Sequence, residues 1–172
     1  MSSQLKLSQG IHETQWLGCD AWIIIEPWGE IVIAKMGAQV LHYQPVAQLA
    51  LFWQNTKTGP LSAGFSEKSK LQNKREPIRA GAPLCWPWFG AHERDSSQPS
   101  HGFARVCDWK IESCLLQSLG SEKTTLRFIP NIAISEVFTV SFEVEVSNDK
   151  LSMTLETVNH SSMQQSLDRK ST

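Results

Sequence analysis

The sequence predicts an all-β protein, folded as an antiparallel β-sandwich. Short apolar runs are punctuated by turn residues along most of the chain, and helical spacing of apolar residues is weak throughout. One stretch alternates cleanly. Phe138, Val140, Phe142, Val144 and Val146 fall on one face, with Thr139, Ser141, Glu143 and Glu145 on the other.

In chain order, Met1 to Gly10 is polar with no apolar signal core, and nearby His12 carries no functional signal. Trp22-Ile-Ile-Ile-Glu26 reads as a short buried strand. Pro27 to Glu30 reads as a turn, and Ile31 to Ala34 as the returning strand of a hairpin. Gly37 marks an interruption before a further β-like stretch, Ala38 to Tyr43, in whose apolar setting His42 reads as structural. Leu51-Phe-Trp53 is another short strand candidate, and Asn55 to Pro77 reads as a surface excursion.

Farther on, Trp109, Ile111 and Ser113 alternate with polar neighbours, and Thr124 to Ile129 forms a strand ended by Pro130-Asn131. Asn148-Asp149 suits the tight turn after the alternating strand. Leu151, Met153 and Leu155 are expected to face inward from the returning one.

A chain of 172 residues is long enough for one domain with a sizeable core. The formal net charge of −1 creates no field that would favour nucleic acid or an anionic membrane, and no segment approaches a membrane span. Cys19, Cys85, Cys107 and Cys114 show neither C-x-x-C spacing nor a zinc-finger histidine pattern. They read as apolar packing residues of a reduced, cytoplasmic protein, and no metal is expected.

The densest chemistry lies in Arg79-Ala-Gly-Ala-Pro-Leu-Cys-Trp-Pro-Trp-Phe-Gly90 and Pro99-Ser-His-Gly-Phe-Ala-Arg105. Pro83 and Pro87 exclude a helix or a central strand, so this is a long ordered loop, and such loops usually carry function. Arg79 and Arg105 can each grip two oxygens of a phosphate or carboxylate, and His101 can donate, accept or transfer a proton. Trp86, Trp88, Phe89 and Phe103 are suited to form an apolar wall against a sugar ring. The structural alternative, with both arginines paired to acidic residues and His101 merely satisfied, stays open on composition alone. The preceding basic residues Lys68, Lys70, Lys74 and Arg75 read as a solvated run, with attraction of an anionic ligand as the other reading. The spacer residues His92, Glu93, Arg94 and Asp95 read as exposed loop, and Asp108 as solvent-facing with no assigned role.

R-x-G-x-P-x-C-W-P-W-F-G followed by P-x-H-G-F-A-R resembles the hexose-6-phosphate mutarotases (glucose-6-phosphate 1-epimerases) of the aldose 1-epimerase superfamily, from near the start to about Asn159. The resemblance implies a galactose mutarotase-like β-sandwich, shortened at its C-terminal side, over residues 1–159, with a divergent polar tail at 160–172. It implies binding of a hexose phosphate or another anionic sugar by Arg79, His101 and Arg105, with no cofactor, because mutarotation is proton transfer at the anomeric centre. The family's acid is a His in an H-T-Y-F motif and its base a later Glu. Neither is matched here, and His160 lacks the motif context. His101 is the one candidate surrogate acid. Two other readings remain: a non-catalytic carbohydrate-binding module, and a structural or assembly protein that keeps the fold. A shortened sandwich would expose sheet edges, so a homodimer that completes the sheet is expected.

Overall fold

The computed structural model describes residues 7–52, 75–116, 123–165 and 167. Two antiparallel four-stranded sheets follow one another along the chain. The first holds β1 (Gly10–Trp16), β2 (Cys19–Glu26), β3 (Gly29–Ala34) and β4 (Val40–Pro45). The second holds β5 (Trp109–Leu116), β6 (Lys123–Pro130), β7 (Phe138–Ser147) and β8 (Leu151–Asn159), and in both sheets the spatial order is the chain order. The antiparallel sandwich is therefore the architecture, and none of the described residues forms an α-helix.

The main core lies between the sheets. Trp22, Ile24, Trp28, Ile31, Ile33, Val40 and Tyr43 of the first sheet and its turns meet Leu126, Phe128, Val140, Phe142, Val144 and Val146 of the second. Polar ends of the large rings are satisfied across the gap. The Trp28 indole donates to Thr124 Oγ1 at 3.0 Å and the Tyr43 hydroxyl to the Ser147 carbonyl at 2.5 Å.

The first sheet is buried on its other face too. Ala21, Ile23, Val32, Ala34 and Leu41 pack there with Ile78 and Ala80, which arrive from the loop region. A strand covered on both sides needs apolar residues at successive positions rather than alternate ones, which accounts for Trp22-Ile-Ile-Ile25. The second sheet has one wet face, and its strands alternate accordingly.

Several expected elements need correction. Leu51 and Phe52 lie outside any strand, where the Leu51 amide donates to the Tyr43 carbonyl at 3.0 Å; Trp53 lies outside the described residues. So do Asn55 to Lys74 of the expected surface excursion and three of the basic residues, Lys68, Lys70 and Lys74. β1 follows the polar start, in a stretch for which no strand was expected, and pairs with β2 along its whole length. In β5 a bulge between Ile111 and Ser113 shifts the alternation, so Ser113 is exposed and Cys114 packs on the core.

β8 differs in a more consequential way. Register places Met153 opposite Val144 and Leu155 opposite Phe142, on the core-facing side, as expected. Yet Met153 is 43% exposed and Leu155 36%, because β8 is the edge of its sheet and no described residue covers that stretch. Beyond it, the His160 amide donates to the Val137 carbonyl and Leu167 packs against the main core, so this part of the polar tail stays on the sandwich.

Candidate functional site

The connection between the sheets crosses the edge of β4. Ile78 and Ala80 sit on the outer face of the first sheet, whereas Trp86 belongs to the core between the sheets. The crossing falls at Gly81 and Ala82. The Ala82 amide donates to the Val40 carbonyl at 2.9 Å, and Gly81 holds a φ of 54°. A Cβ on Gly81 would overlap the Val40 carbonyl oxygen, so this close passage requires glycine. The buried Gln39 side chain reinforces it by donating to the Ala80 carbonyl.

Trp86 anchors the second half of the loop. Its indole donates to Thr157 Oγ1 of β8 at 3.0 Å, and its carbonyl accepts from the amides of Phe103 at 2.9 Å and Ala104 at 3.2 Å. Gly102 packs so tightly on this carbonyl that a Cβ would collide with it. The short 3-10 turn Ala104–Val106 follows and presents Arg105. Two motifs separated in sequence are thus fastened to each other and to both sheets.

Arg79, His101 and Arg105 line one cavity of about 550 Å³, together with Arg75, Pro77, Ser97, Gln98, Pro99, Ser100 and Val106. No carboxylate is among these lining residues. Arg79 and Arg105 have no carboxylate partner among the described residues, and Arg105 Nε is buried without any hydrogen-bond partner. Burial, the nearby Cys85 thiol and the like charge of Arg79 act on the Arg105 guanidinium. Burial dominates and lowers its pKa; Cys85 opposes this and Arg79 adds to it. A buried cation left in this condition is ready for an anion.

His101 has a defined hydrogen-bonding role. Its Nδ1 accepts from the Gly90 amide at 3.1 Å, its own amide donates to the Gly90 carbonyl at 2.7 Å, and its backbone φ is 65°. Its pKa is lowered, first by burial and then by the positive charge of Arg105. An acceptor Nδ1 puts the proton of the neutral ring on Nε2, so His101 offers an N–H donor.

The four aromatic residues sit elsewhere. Trp86 is core, and Trp88 packs edge-on against Phe103 at 5.0 Å and His92 at 4.5 Å while its indole donates to the Pro99 carbonyl. Phe89 rests edge-on against the His101 ring at 4.7 Å and is 46% exposed. None of the four is among the residues lining the cavity. They brace the loop and, through Phe89, the imidazole.

Sequence reasoning passed over the spacer's part in the site. Asp95 accepts from the Ser97 hydroxyl at 2.6 Å, the Ser97 amide at 2.9 Å and the Gln98 side chain at 3.0 Å. These bonds, led by the Ser97 hydroxyl, hold its pKa down at about 2. The compact turn brings Ser97, Gln98 and Ser100 into the cavity wall. The available signal was Asp95 two residues before Ser97, the spacing of an Asx turn. Asp108, read as solvent-facing, is 45% exposed and also pairs with Arg75.

A smaller cavity of about 380 Å³ lies along the second sheet. Its guanidinium, Arg127, is already held by Glu112 at 3.0 Å and Glu156 at 2.6 Å, so it is poorly suited to an anion. No cluster of three or more His, Cys, Asp or Glu side chains among the described residues could hold a metal ion. No helix among them is long and apolar enough to cross a membrane.

Fold and site together define a β-sandwich protein with an arginine-lined cavity in the connection between its sheets. A sequence model of the aldose 1-epimerase family matches residues 24–166, and the chain belongs to that family. A protein from Salmonella typhimurium named "Putative glucose-6-phosphate 1-epimerase" is 31% identical over 94 residues, covering 55% of this chain and 28% of that protein. A protein of the same name from Escherichia coli K12 matches with the same identity and coverage. The crystal structure of a "putative mutarotase" from Salmonella typhimurium shares the fold, with a TM-score of 0.68 at 24% identity. That match covers 89% of this chain and 48% of the other, so the chain spans about half the length of its structural relative.

Proposed function

We propose that this chain is a mutarotase-like protein that binds a hexose phosphate, with Arg79 and Arg105 on the phosphate and the His101 Nε2–H on a sugar oxygen. The observation that carries this reading is the buried, unpartnered Arg105 Nε in a cavity with no carboxylate among its described lining residues. Arg79 at the same cavity supplies a second planar donor fork. The names of the relatives, glucose-6-phosphate 1-epimerases, support a sugar phosphate over other anions.

Anomeric interconversion needs a base for the C1 hydroxyl proton and an acid for the ring oxygen. His101 can take one of these roles, but the described residues of the cavity lining include no carboxylate for the other. Binding is therefore the function proposed, with turnover near background. Calorimetric titration with glucose 6-phosphate is expected to show binding, weakened about ten-fold or more in Arg79→Ala, the scale of a lost hydrogen bond to a charged group. Unchanged affinity in that variant would move the ligand to another site. A coupled anomerase assay in which wild type clearly outpaces His101→Ala would restore the enzymatic reading.

The partner in solution is, in the same reading, a second copy joined along β8. Its nine residues include one charged side chain, Glu156, which is already paired, and no proline, so the edge lacks the usual guards against strand addition. A monomer by light scattering at every concentration tried would remove this part. The four cysteines form no disulfide, in keeping with a reducing compartment such as the cytoplasm.

A further inference from the structure

The cavity contains a third guanidinium whose situation differs from the other two. Arg75 lines it alongside Arg79 and Arg105, yet among the described residues only Arg75 has a carboxylate counter-ion. Its Nη1 lies 2.9 Å from Asp108 Oδ1 and 3.5 Å from the Val106 carbonyl. The carboxylate is on a fixed backbone. Asp108 is bridged to Met36 of the β3–β4 connection, and its carbonyl accepts from the Asn131 amide at 2.8 Å. The pair itself is loose in energetic terms, because both side chains are partly exposed, at 33% and 45%. Exposed ion pairs of this kind contribute little, so Arg75 can change partners at small cost.

Resting on the hexose-phosphate reading of the same cavity, we propose that Arg75 is a third phosphate-binding residue, restrained by Asp108, and that the incoming phosphate takes it from that carboxylate. The chemistry favours the exchange. A phosphate monoester near neutral pH carries close to two negative charges, and the lone pairs on its three terminal oxygens outnumber the hydrogen bonds that the Arg79 and Arg105 forks would use. Asp108 offers Arg75 one oxygen at hydrogen-bonding distance. In the unliganded cavity the carboxylate keeps one of three like charges compensated. It thereby limits the repulsion among them, and it disfavours weaker, singly charged anions that cannot outbid it. Asp108 is thus a specificity-determining residue acting through Arg75.

The test is calorimetric titration of the whole chain with glucose 6-phosphate and, separately, with inorganic phosphate and acetate. Wild type, Arg75→Gln, Asp108→Asn and the double variant are compared after circular dichroism confirms the fold of each. Arg75→Gln is expected to weaken both phosphate ligands about five- to ten-fold, on the scale of a charged hydrogen bond. Asp108→Asn, which keeps the backbone bonds, is expected to tighten phosphate several-fold and to raise acetate binding by a larger factor. In the Arg75→Gln background the Asp108→Asn gain should largely vanish. Phosphate binding that depends on Arg79 but is unchanged in Arg75→Gln, or weaker in Asp108→Asn, would overturn the exchange and leave the hexose-phosphate reading intact. Absence of phosphate binding in wild type would remove that reading, and this inference with it.

Discussion

His101 shows how much a single side chain's role depends on neighbours far along the sequence. Its Nδ1 bond to the Gly90 amide places the proton of the neutral ring on Nε2, and burial, with the charge of Arg105 second, lowers its pKa. Its folded pKa lies below the ordinary 6.5, so the folded state binds fewer protons than the unfolded chain between those two values. Its stabilising contribution is present above the unfolded value and is lost as pH falls through the depressed one. Proton NMR of the ring should give a midpoint below 6.5 without ligand, and a value at or above 6.5 would contradict the burial argument. Gly102 is decisive in a different way, since any Cβ there meets the Trp86 carbonyl while φ is 75°. Gly102→Ala should cost more than about 2 kcal/mol and lower the melting temperature by about 4–8 °C. A melting temperature within a degree of wild type would mean the two motifs are not clamped there.

Strands were legible in proportion to how sharply their surroundings differ. β7 has a dry face and a wet face, so Phe138 to Val146 announced both its conformation and its orientation. β2, clad on both sides, was legible as an apolar run whose two destinations were not, because the residues that clad its outer face, Ile78 and Ala80, lie some fifty positions on. β1 was missed because Gly10–Trp16 is an edge strand, mostly polar, held by its ladder to β2 rather than by an apolar stripe. For the site, motif residues Arg79, His101 and Arg105 could be picked from the sequence, but the path that gathers them around one cavity could not. Nor could the aromatic residues be placed: Trp86 was chosen for a ligand wall and is a core plug instead. Gln98 entered the site through an Asx turn, and Arg75 stands there paired to Asp108, both weak signals in a sequence. At β8 the inward side was correct but its cover was not foreseeable from alternation alone. Leu155→Lys should leave the melting temperature nearly unchanged and abolish any dimer seen by light scattering. Loss of the fold instead would mean that Leu155 is core.

At the scale of the molecule, stability rests on the contact between the sheets. Phe142 is 1% exposed at the centre of that core, touching Phe128 across a ring separation of 6.2 Å. Phe142→Ala should cost about 3–5 kcal/mol, through lost burial and the cavity left behind. Urea unfolding is expected to show a lower midpoint with the slope retained; an unchanged midpoint would place the centre of the core elsewhere. The connection that crosses β4 contributes on both sides of the first sheet, with Ile78 and Ala80 outside and Trp86 inside. Arg79 lies between these packed residues, so the arginine-lined cavity is built from chain that the fold already needs.

One indole hydrogen bond joins the two ends of this arrangement. The Trp86 ring reaches Thr157 on the last strand, while the same residue's carbonyl holds the turn that presents Arg105. Whatever stiffens or displaces that outermost strand, a docking neighbour included, therefore pulls on a tether that ends beside the cationic hollow. In the reading proposed above, docking along β8 and binding at the hollow would be coupled through Trp86.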